Sequence, residues 1–201
     1  MEGLSEWVGA ELFDARAVLS SMMADATVAE RVAKLCARIA KSVQGGGKVL
    51  ACGNGGSAAD AMHFCEELTG RYRDDRPAIG AIACSDPTHV TCVANDYGFE
   101  YVFSRWVEAL GREGDVLVVL STSGNSANIR RAIEAGRERG MLTAALLGKD
   151  GGAVRGLCDL EWVVPSAVDG RAVRSDRIQE LHMLLLHAIV GGVERALGYA
   201  E

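Results

Sequence analysis

The sequence predicts an α/β domain of three layers, in which helices cover both faces of a parallel sheet of about five strands. Short apolar runs recur along the chain, namely "KVLACG", "VLVVLSTSG", "MLTAALLG" and "LEWVVP", with "AIGAIAC" as a weaker candidate. Strands that are buried on both faces have such continuous apolar runs. Helical segments such as "SANIRRAIEAGRERG" separate the runs, and this alternation is typical of a parallel α/β sheet.

The N-terminal segment, from about residue 8 to residue 45, is predicted to be helical with a break near Asp25. Within "VAERVAKLCARIAKSV" the apolar residues recur at helical spacing, and "QGGGK" ends the helix. The α/β core follows over about 47–165, and a last helix covers about 176–197. No repeat, low-complexity tract or linker divides the chain, so we expect one domain over residues 1–201.

The composition excludes several classes of protein. The chain has 201 residues, of which 49% are hydrophobic, so a folded domain is expected. The net charge is −6 without any run of Lys or Arg, which argues against broad binding to nucleic acid or anionic membranes. The N-terminus lacks a secretory signal, and no apolar run is long enough to cross a membrane. Six scattered cysteines without a C-x-x-C pair indicate reduced thiols in the cytoplasm.

The loop "CGNGGS" follows the first predicted strand and has the composition of an anion site. Gly53, Gly55 and Gly56 permit positive φ angles and a close approach of the backbone to a ligand. Ser57 is predicted to cap the next helix, with Asp60 as its partner three residues later. The helix would then present free N–H groups and the positive end of its dipole to an anion.

A second loop, "STSGNS", follows the strand "VLVVL" and surrounds one glycine with four hydroxyl groups. Hydroxyls and backbone N–H groups together can hold a phosphate without a cluster of cations. Either loop alone also fits an ordinary strand–helix connection. Since both lie at carboxyl ends of one sheet, they favour a phosphorylated ligand. Neither loop matches the Walker motif or the dinucleotide fingerprint.

The helix after the first loop carries a possible chemical pair. Asp60, His63 and Glu67 lie on one stripe of this helix. His63 and Glu67 are one turn apart, so their side chains could reach a common metal ion or a proton-transfer site. A solvated surface pair is the other interpretation of the same spacing.

The C-terminal helix contains "DRIQELHMLLLHAIV", with Gln179, Glu180, His182 and His187 as its polar members. His187 lies within an apolar run, where a satisfied core histidine is the ordinary interpretation. Gln179 and His187 are separated by about 12 Å along the helix axis. They could share a ligand only by leaning toward each other, or they could serve different copies of a site in an oligomer.

The motifs "CGNGGSAADAMHFCEELTGRYRDDRP", "CVANDYGFE", "STSGNSANI", "GKDGG" and "RIQELHMLLLH" occur in an order that closely resembles the phosphoheptose isomerases. These enzymes have a sugar-isomerase (SIS) domain and interconvert sedoheptulose 7-phosphate and D-glycero-D-manno-heptose 7-phosphate. The resemblance implies a flavodoxin-like fold, a cytoplasmic homotetramer and a first step in the synthesis of nucleotide-activated heptose for surface polysaccharide such as lipopolysaccharide.

The resemblance also implies roles for individual residues. Glu67 would be a catalytic acid/base with His187 as its partner. Family members that bind zinc use the positions of His63, Glu67, Gln179 and His187. The substrate-binding residues implied are Asn54, Gly55, Gly56, Ser57, Asn95, Asp96 and Gln179, with Ser121, Thr122, Ser123 and Ser126 on the phosphate. The segment 166–175 is longer than the family's usual connection, which leaves the role of Asp176 open.

We expect an enediol mechanism in which Glu67 moves the carbon proton and His187 the oxygen proton, or the reverse assignment. Zinc could polarise the carbonyl or only orient the site, because a metal-bound carboxylate is a weaker base. A non-catalytic sugar-phosphate sensor or protein-binding regulator is the alternative, and an isomerase of another ketose phosphate is a third possibility. A close paralogue that binds a replication initiator lacks the histidine matching His187, so the presence of His187 with Glu67 favours an enzyme.

Overall fold

Five parallel strands form the central sheet in the computed structural model, which describes residues 1–200. They are β1 (Val49–Gly53), β2 (Ala81–Ala83), β3 (Val116–Ser121), β4 (Leu142–Lys149) and β5 (Leu160–Pro165). Their order in the sheet is β2-β1-β3-β4-β5, and all four pairings are parallel. This is the flavodoxin-like order. The predicted fold class is therefore confirmed, and the weakest candidate strand is the short edge strand β2.

Seven α-helices accompany the sheet in the described part of the chain. They are α1 (Glu2–Met23), α2 (Thr27–Gln44), α3 (Gly56–Thr69), α4 (Pro87–Asp96), α5 (Val102–Leu110), α6 (Ala127–Glu138) and α7 (Ser175–Ala196). One apolar cluster joins α2, α3 and α7 to one face of the sheet, and another joins α4, α5 and α6 to the other face. Successive side chains of a strand point to opposite faces, so β3 contributes to both clusters. Helices α3 and α7 share one face.

The N-terminal helical segment differs from the prediction mainly at its start. Helix α1 begins at Glu2, six residues before the predicted start. The break falls between Met23 and Thr27, as predicted, and the Asp25 carboxylate accepts a hydrogen bond from the Thr27 N–H at 2.9 Å. Helix α2 ends at Gln44, immediately before the glycine run.

The long segment 166–175 forms a small hairpin of β6 (Ala167–Val168) and β7 (Arg171–Ala172). Asp169 and Gly170 both have positive φ, at 49° and 75°, which is the backbone of a two-residue hairpin turn. The Arg171 guanidinium pairs with the Asp14 carboxylate of α1 at 2.7 Å. The extra residues are thus packed against α1, and α7 begins at Ser175.

All six cysteines are free, and four of them are buried. Burial raises the pKa of the Cys36 thiol to about 11 and that of Cys65 to about 12. These thiols are therefore protonated at neutral pH and are weak nucleophiles. Among residues 1–200, no helix combines the length and the apolar character needed to cross a membrane.

Candidate active site

The two loops predicted to bind phosphate lie side by side at one edge of the sheet. Strands β1 and β3 are neighbours, and Gly53 is paired with Leu120 in their register. The strand order reverses between β1 and β3, since β2 lies on one side and β4 on the other. Ligands of open α/β sheets bind at this switch point, outside the carboxyl ends of the strands.

The first loop turns into α3 two residues earlier than predicted. Gly55 is the N-cap residue with φ at 58°, and no side chain caps the helix. The predicted Ser57 cap is wrong, because Ser57 already belongs to the first turn and is 3% exposed. Asp60 is not its partner: the Oδ2 atom of Asp60 is buried without a hydrogen bond, and burial raises the pKa of this carboxyl. At this helix start, an anion would therefore be held by backbone N–H groups.

The second loop uses its own hydroxyls to hold its shape. Ser121 Oγ accepts a hydrogen bond from the Gly124 N–H at 3.0 Å, and Ser123 Oγ accepts one from the Asn125 N–H at 3.3 Å. Both hydroxyls keep an O–H that can be donated to a ligand. Ser126 is the N-cap of α6 without using its side chain. The residues predicted to bind phosphate therefore lie just before the N-terminus of α6. They are Ser121, Thr122, Ser123 and Ser126.

A pair of amides joins the two loops. Asn54 Nδ2 donates to Asn128 Oδ1, and Asn128 Nδ2 donates to Asn54 Oδ1, each at 2.9 Å. Asn128 is 2% exposed, and the sequence analysis missed it. The available signal was an amide within the first turn of the helix after "STSGNS", where a buried polar side chain needs a partner.

The histidine–glutamate pair of α3 meets His187 of α7. His63 Nε2 lies 3.0 Å from His187 Nε2 and 3.4 Å from Glu67 Oε1. One ligand atom from each of the three residues lies within 4.8 Å of the others. The Glu67 side chain is 15% exposed. The His63 side chain is 40% exposed, but the pair has His187 as a third member, which favours a shared site over a solvated surface pair.

The core histidine of α7 is His182 rather than His187. The His182 side chain is fully buried, and its Nε2–H donates to the Leu147 carbonyl at 3.0 Å. Burial lowers the pKa of His182 to about 4. His187 is instead partly exposed and lines an open cleft of about 680 Å³ with Tyr72, whose ring stacks on the imidazole at a centroid distance of 5.7 Å.

Helices α3 and α7 run in the same direction and contact each other at two levels. At the first level, the Gln179 amide lies against Gly56, where a Cβ atom would overlap it. At the second level, His187 meets His63. The spacing is eight residues on α7 and seven on α3, about 10–12 Å on each helix. Within this chain Gln179 therefore lies at the phosphate-loop end and not with the three other expected metal ligands.

The three-residue cluster has the chemistry of a zinc site. Two imidazole nitrogens and a carboxylate oxygen are typical ligands of catalytic zinc, which leaves a fourth position for water or substrate. Ligand atoms at ordinary Zn–N and Zn–O lengths are separated by about 3.3 Å in a tetrahedron, and the observed separations from His63 Nε2 are 3.0 and 3.4 Å. Two imidazole nitrogens that face each other require a shared proton or a cation. The residues present thus fit the metal.

Asn95 and Asp96 lie apart from this cluster. They end α4, which follows the edge strand β2, and both are exposed. Asn95 Nδ2 donates to Asp96 Oδ1 at 2.7 Å. No side-chain hydrogen bond within residues 1–200 connects either residue to the two loops or to the histidine cluster.

A sheet of this topology with two hydroxyl- and glycine-rich loops at its switch point is the frame of a sugar-phosphate binding domain. The model of the SIS domain family matches residues 13–148, and the chain belongs to this family.

Comparison with similar proteins shows to which group within the SIS domain family the chain belongs. The phosphoheptose isomerase of Vibrio parahaemolyticus is 52% identical over 190 residues, covering 94% of this chain and 97% of the relative. The phosphoheptose isomerase of Fusobacterium nucleatum is 54% identical over 164 residues, covering 82% and 81%. The structure of the phosphoheptose isomerase of Neisseria gonorrhoeae has a TM-score of 0.84 at 40% identity, covering 96% of this chain and 99% of that one. Within the SIS domain family, this chain is a member of the phosphoheptose isomerases.

Proposed function

We propose that the protein is an aldose–ketose isomerase that converts sedoheptulose 7-phosphate to D-glycero-D-manno-heptose 7-phosphate through an enediol intermediate. The observation that supports it most directly is the convergence of His63, Glu67 and His187 from two helices of one sheet face. The reaction moves one proton between two neighbouring carbons and another between the oxygens that they carry. The cluster offers a carboxylate for one of these transfers and an imidazole for the other.

In the proposed mechanism, Glu67 takes the proton from C1 of the ketose. The electrons of the broken C–H bond form the C1–C2 double bond, and the carbonyl oxygen on C2 becomes a hydroxyl. Glu67 then returns the proton to C2, and the C1 oxygen becomes the carbonyl of the aldose. His187 moves the proton between the two oxygens. The atoms balance without an external oxidant, because one carbon is reduced as its neighbour is oxidised.

Binding of the phosphate end would align the reacting end. Ser121, Thr122, Ser123 and Ser126 are proposed to donate hydroxyls to the phosphate, together with the N–H groups at the start of α3 and α6. The Gln179 amide, which lies against Gly56, would add a further polar group at this end. Energy from these remote contacts would be used to orient the carbons at Glu67.

A zinc ion held by His63, Glu67 and His187 is proposed as the cofactor. When bound, zinc supplies a Lewis acid that stabilises negative charge on the substrate oxygens. Gln179 could join these ligands only from another copy of the chain, since its own position is two helical turns away from the cluster.

Three expectations from the family resemblance are proposed with the function. Residues 1–201 form one SIS domain, the protein is cytoplasmic, and it assembles as a homotetramer. The exposed apolar residues of α1 support assembly, because large apolar side chains left open to solvent are typical of interfaces. Those exposed by half or more are Leu4, Trp7, Leu12, Phe13 and Met23, at 50–72%.

The decisive experiment is incubation of the purified protein with sedoheptulose 7-phosphate while the anomeric signals are followed by NMR. We expect new aldose signals that appear at a rate proportional to the enzyme concentration. Their absence at high enzyme concentration would contradict the proposed reaction. Fructose 6-phosphate in a parallel sample tests the isomerase of another ketose phosphate, and binding without turnover would indicate the sugar-phosphate sensor.

A further inference from the structure

The segment between α3 and β2, residues 70–80, contacts both helices that carry the proposed catalytic groups, α3 and α7. Glu67 and His63 belong to α3, and His187 belongs to α7. Two side chains of the segment, Tyr72 and Arg76, contact these helices directly. Neither residue has a role that the sequence pattern indicates.

Arg76 caps the carboxyl end of α3. Its Nη2 donates to the Glu67 carbonyl at 2.6 Å, and its Nη1 donates to the Leu68 carbonyl at 2.8 Å and the Gly70 carbonyl at 3.1 Å. The last carbonyls of a helix have no partner within it, and a cation at this end interacts favourably with the helix dipole. The guanidinium therefore fixes the backbone of Glu67 itself.

The same guanidinium is tied to α7. Arg76 Nε donates to Glu194 Oε1 at 2.8 Å, and the two side chains are 2% and 4% exposed. Glu194 lies seven residues after His187 on α7, so the two side chains share one face of the helix. One buried planar group thus bonds both to the backbone of Glu67 and to the helix that carries His187.

Burial makes this arrangement stiff. The fork of the guanidinium presents its N–H groups in a fixed plane, and these groups donate to the Glu194 carboxylate and to four carbonyls, those of Glu67, Leu68, Gly70 and Pro77. A lysine would keep the charge but could not make all of these bonds at once. Tyr72 adds a second contact from the same segment, because its ring stacks on His187 at an interplanar angle of 21°.

We infer that Arg76 and Glu194 are positioning residues that set the separation between Glu67 and His187. This inference rests on the proposed isomerase function for its kinetic consequences. The clamp, defined as the Arg76–Glu194 pair, acts at the reacting end of the site. The phosphate loops lie at the opposite end of α3, so loss of the clamp should lower kcat and leave KM nearly unchanged.

The experiment uses the whole chain with Arg76→Lys and the control Arg139→Lys. Arg139 is exposed at the end of α6, far from the site, and within residues 1–200 its side chain makes no hydrogen bond or ion pair. A displacement of about 1 Å in a catalytic group can reduce the rate a hundredfold. We expect Arg76→Lys to lower kcat at least tenfold with KM within twofold of wild type, whereas Arg139→Lys behaves as wild type.

Histidine NMR gives a readout that does not depend on turnover. With ¹⁵N-labelled histidine, Arg76→Lys should shift the ring resonances of His63 and His187. His89 serves as the internal reference, because it lies on the other face of the sheet and bonds to the Val102 carbonyl. If the wild type does not turn over sedoheptulose 7-phosphate, the proposed function fails and the NMR shifts alone decide the clamp.

A double variant separates positioning from simple stabilisation. Replacing a buried ion pair by apolar residues is often neutral for stability, so Arg76→Met/Glu194→Leu should fold even if Arg76→Lys does not. We expect its kcat to stay at least tenfold below wild type, with His63 and His187 shifted. Wild-type kcat with unmoved His63 and His187 resonances in a folded Arg76→Lys or double variant would overturn the inference.

Discussion

The imidazoles of His63 and His187 meet at 3.0 Å between their Nε2 atoms, although the two residues are 124 positions apart in the chain. The contact arises because α3 and α7 lie parallel on one face of the sheet. It brings the two halves of the proposed reaction, a carboxylate on α3 and an imidazole on α7, to one place. The roles of these residues in turnover and in metal binding can be tested separately.

The first prediction concerns the two proton-transfer groups. Glu67→Gln and His187→Asn should each lower kcat for sedoheptulose 7-phosphate by about 10²–10⁴, the usual contribution of a general acid or base. The thermal unfolding midpoint should change little, because both side chains are only partly buried. Glu108→Gln, an exposed position on α5, is the control. Retained turnover in either site variant would remove that residue from the mechanism.

Metal removal is the second test. Dialysis against a chelator should abolish activity, and Zn²⁺ should restore it, because His63, Glu67 and His187 supply a suitable set of ligand atoms. In calorimetric titrations His187→Asn should bind Zn²⁺ at least tenfold more weakly, while the remote His89→Asn should match the wild type. Full activity in protein verified to be metal-free would exclude a catalytic metal.

The contact of Gly56 with Gln179 gives a third prediction. A methyl group at Gly56 would overlap the Gln179 amide. This amide is the end of a flexible side chain and can turn away, so Gly56→Ala should change the free energy of unfolding by less than about 1 kcal/mol. The side-chain amide resonances of Gln179, assigned by their loss in Gln179→Ala, should shift in Gly56→Ala. They should stay in place in the control Gly9→Ala, where no atom lies within 4 Å of the added methyl. Urea unfolding and ¹⁵N NMR measure the two effects, and unmoved Gln179 resonances in Gly56→Ala would refute the contact.

A fourth prediction tests the amide pair between the loops. Asn54→Ala should reduce the free energy of unfolding by about 1–3 kcal/mol, because it leaves the buried Asn128 amide without a partner. Asn128→Ala should reduce it by about 1 kcal/mol, since the half-buried Asn54 can turn to water. The double variant should lose less than the sum of the two, with a coupling of about 0.5–3 kcal/mol. KM should rise in all three, since the loops would no longer be held together. Strict additivity would mean that the two amides do not interact in solution.

The fifth prediction is a pH dependence of stability. Burial lowers the folded-state pKa of His182 to about 4, compared with 6.5 for an unperturbed histidine side chain. The unfolded chain therefore binds the extra proton between these values, and stability falls as the pH falls from about 7 to 4. Between pH 7.5 and 5 this group should contribute a loss of about 2 kcal/mol. In urea unfolding at the two pH values, His182→Gln should lose about that much less than the wild type; an identical loss would contradict the assignment.

The sequence predicted the elements well, because apolar runs and helical spacing report burial locally. The five strands, the break near Asp25 and the end of α2 at the glycine run all follow from local patterns. The prediction that Ser57 caps α3 was wrong because two local signals for a helix start lie close together. A capping serine and a glycine with positive φ are both good helix starts, and spacing does not reveal which of the two begins the helix.

The sequence by itself determined the fold class, the two loops and the family, since ordered motifs and the strand–helix alternation are properties of the chain alone. Only the tertiary structure decided that His187 joins His63 and Glu67, that His182 is the core histidine, and that Arg76 links α3 to α7. The physical reason is that these contacts depend on the relative shift and rotation of two helices packed on a sheet. Helical periodicity indicates the face of the helix on which a residue lies. It does not indicate which residue of a neighbouring helix lies opposite.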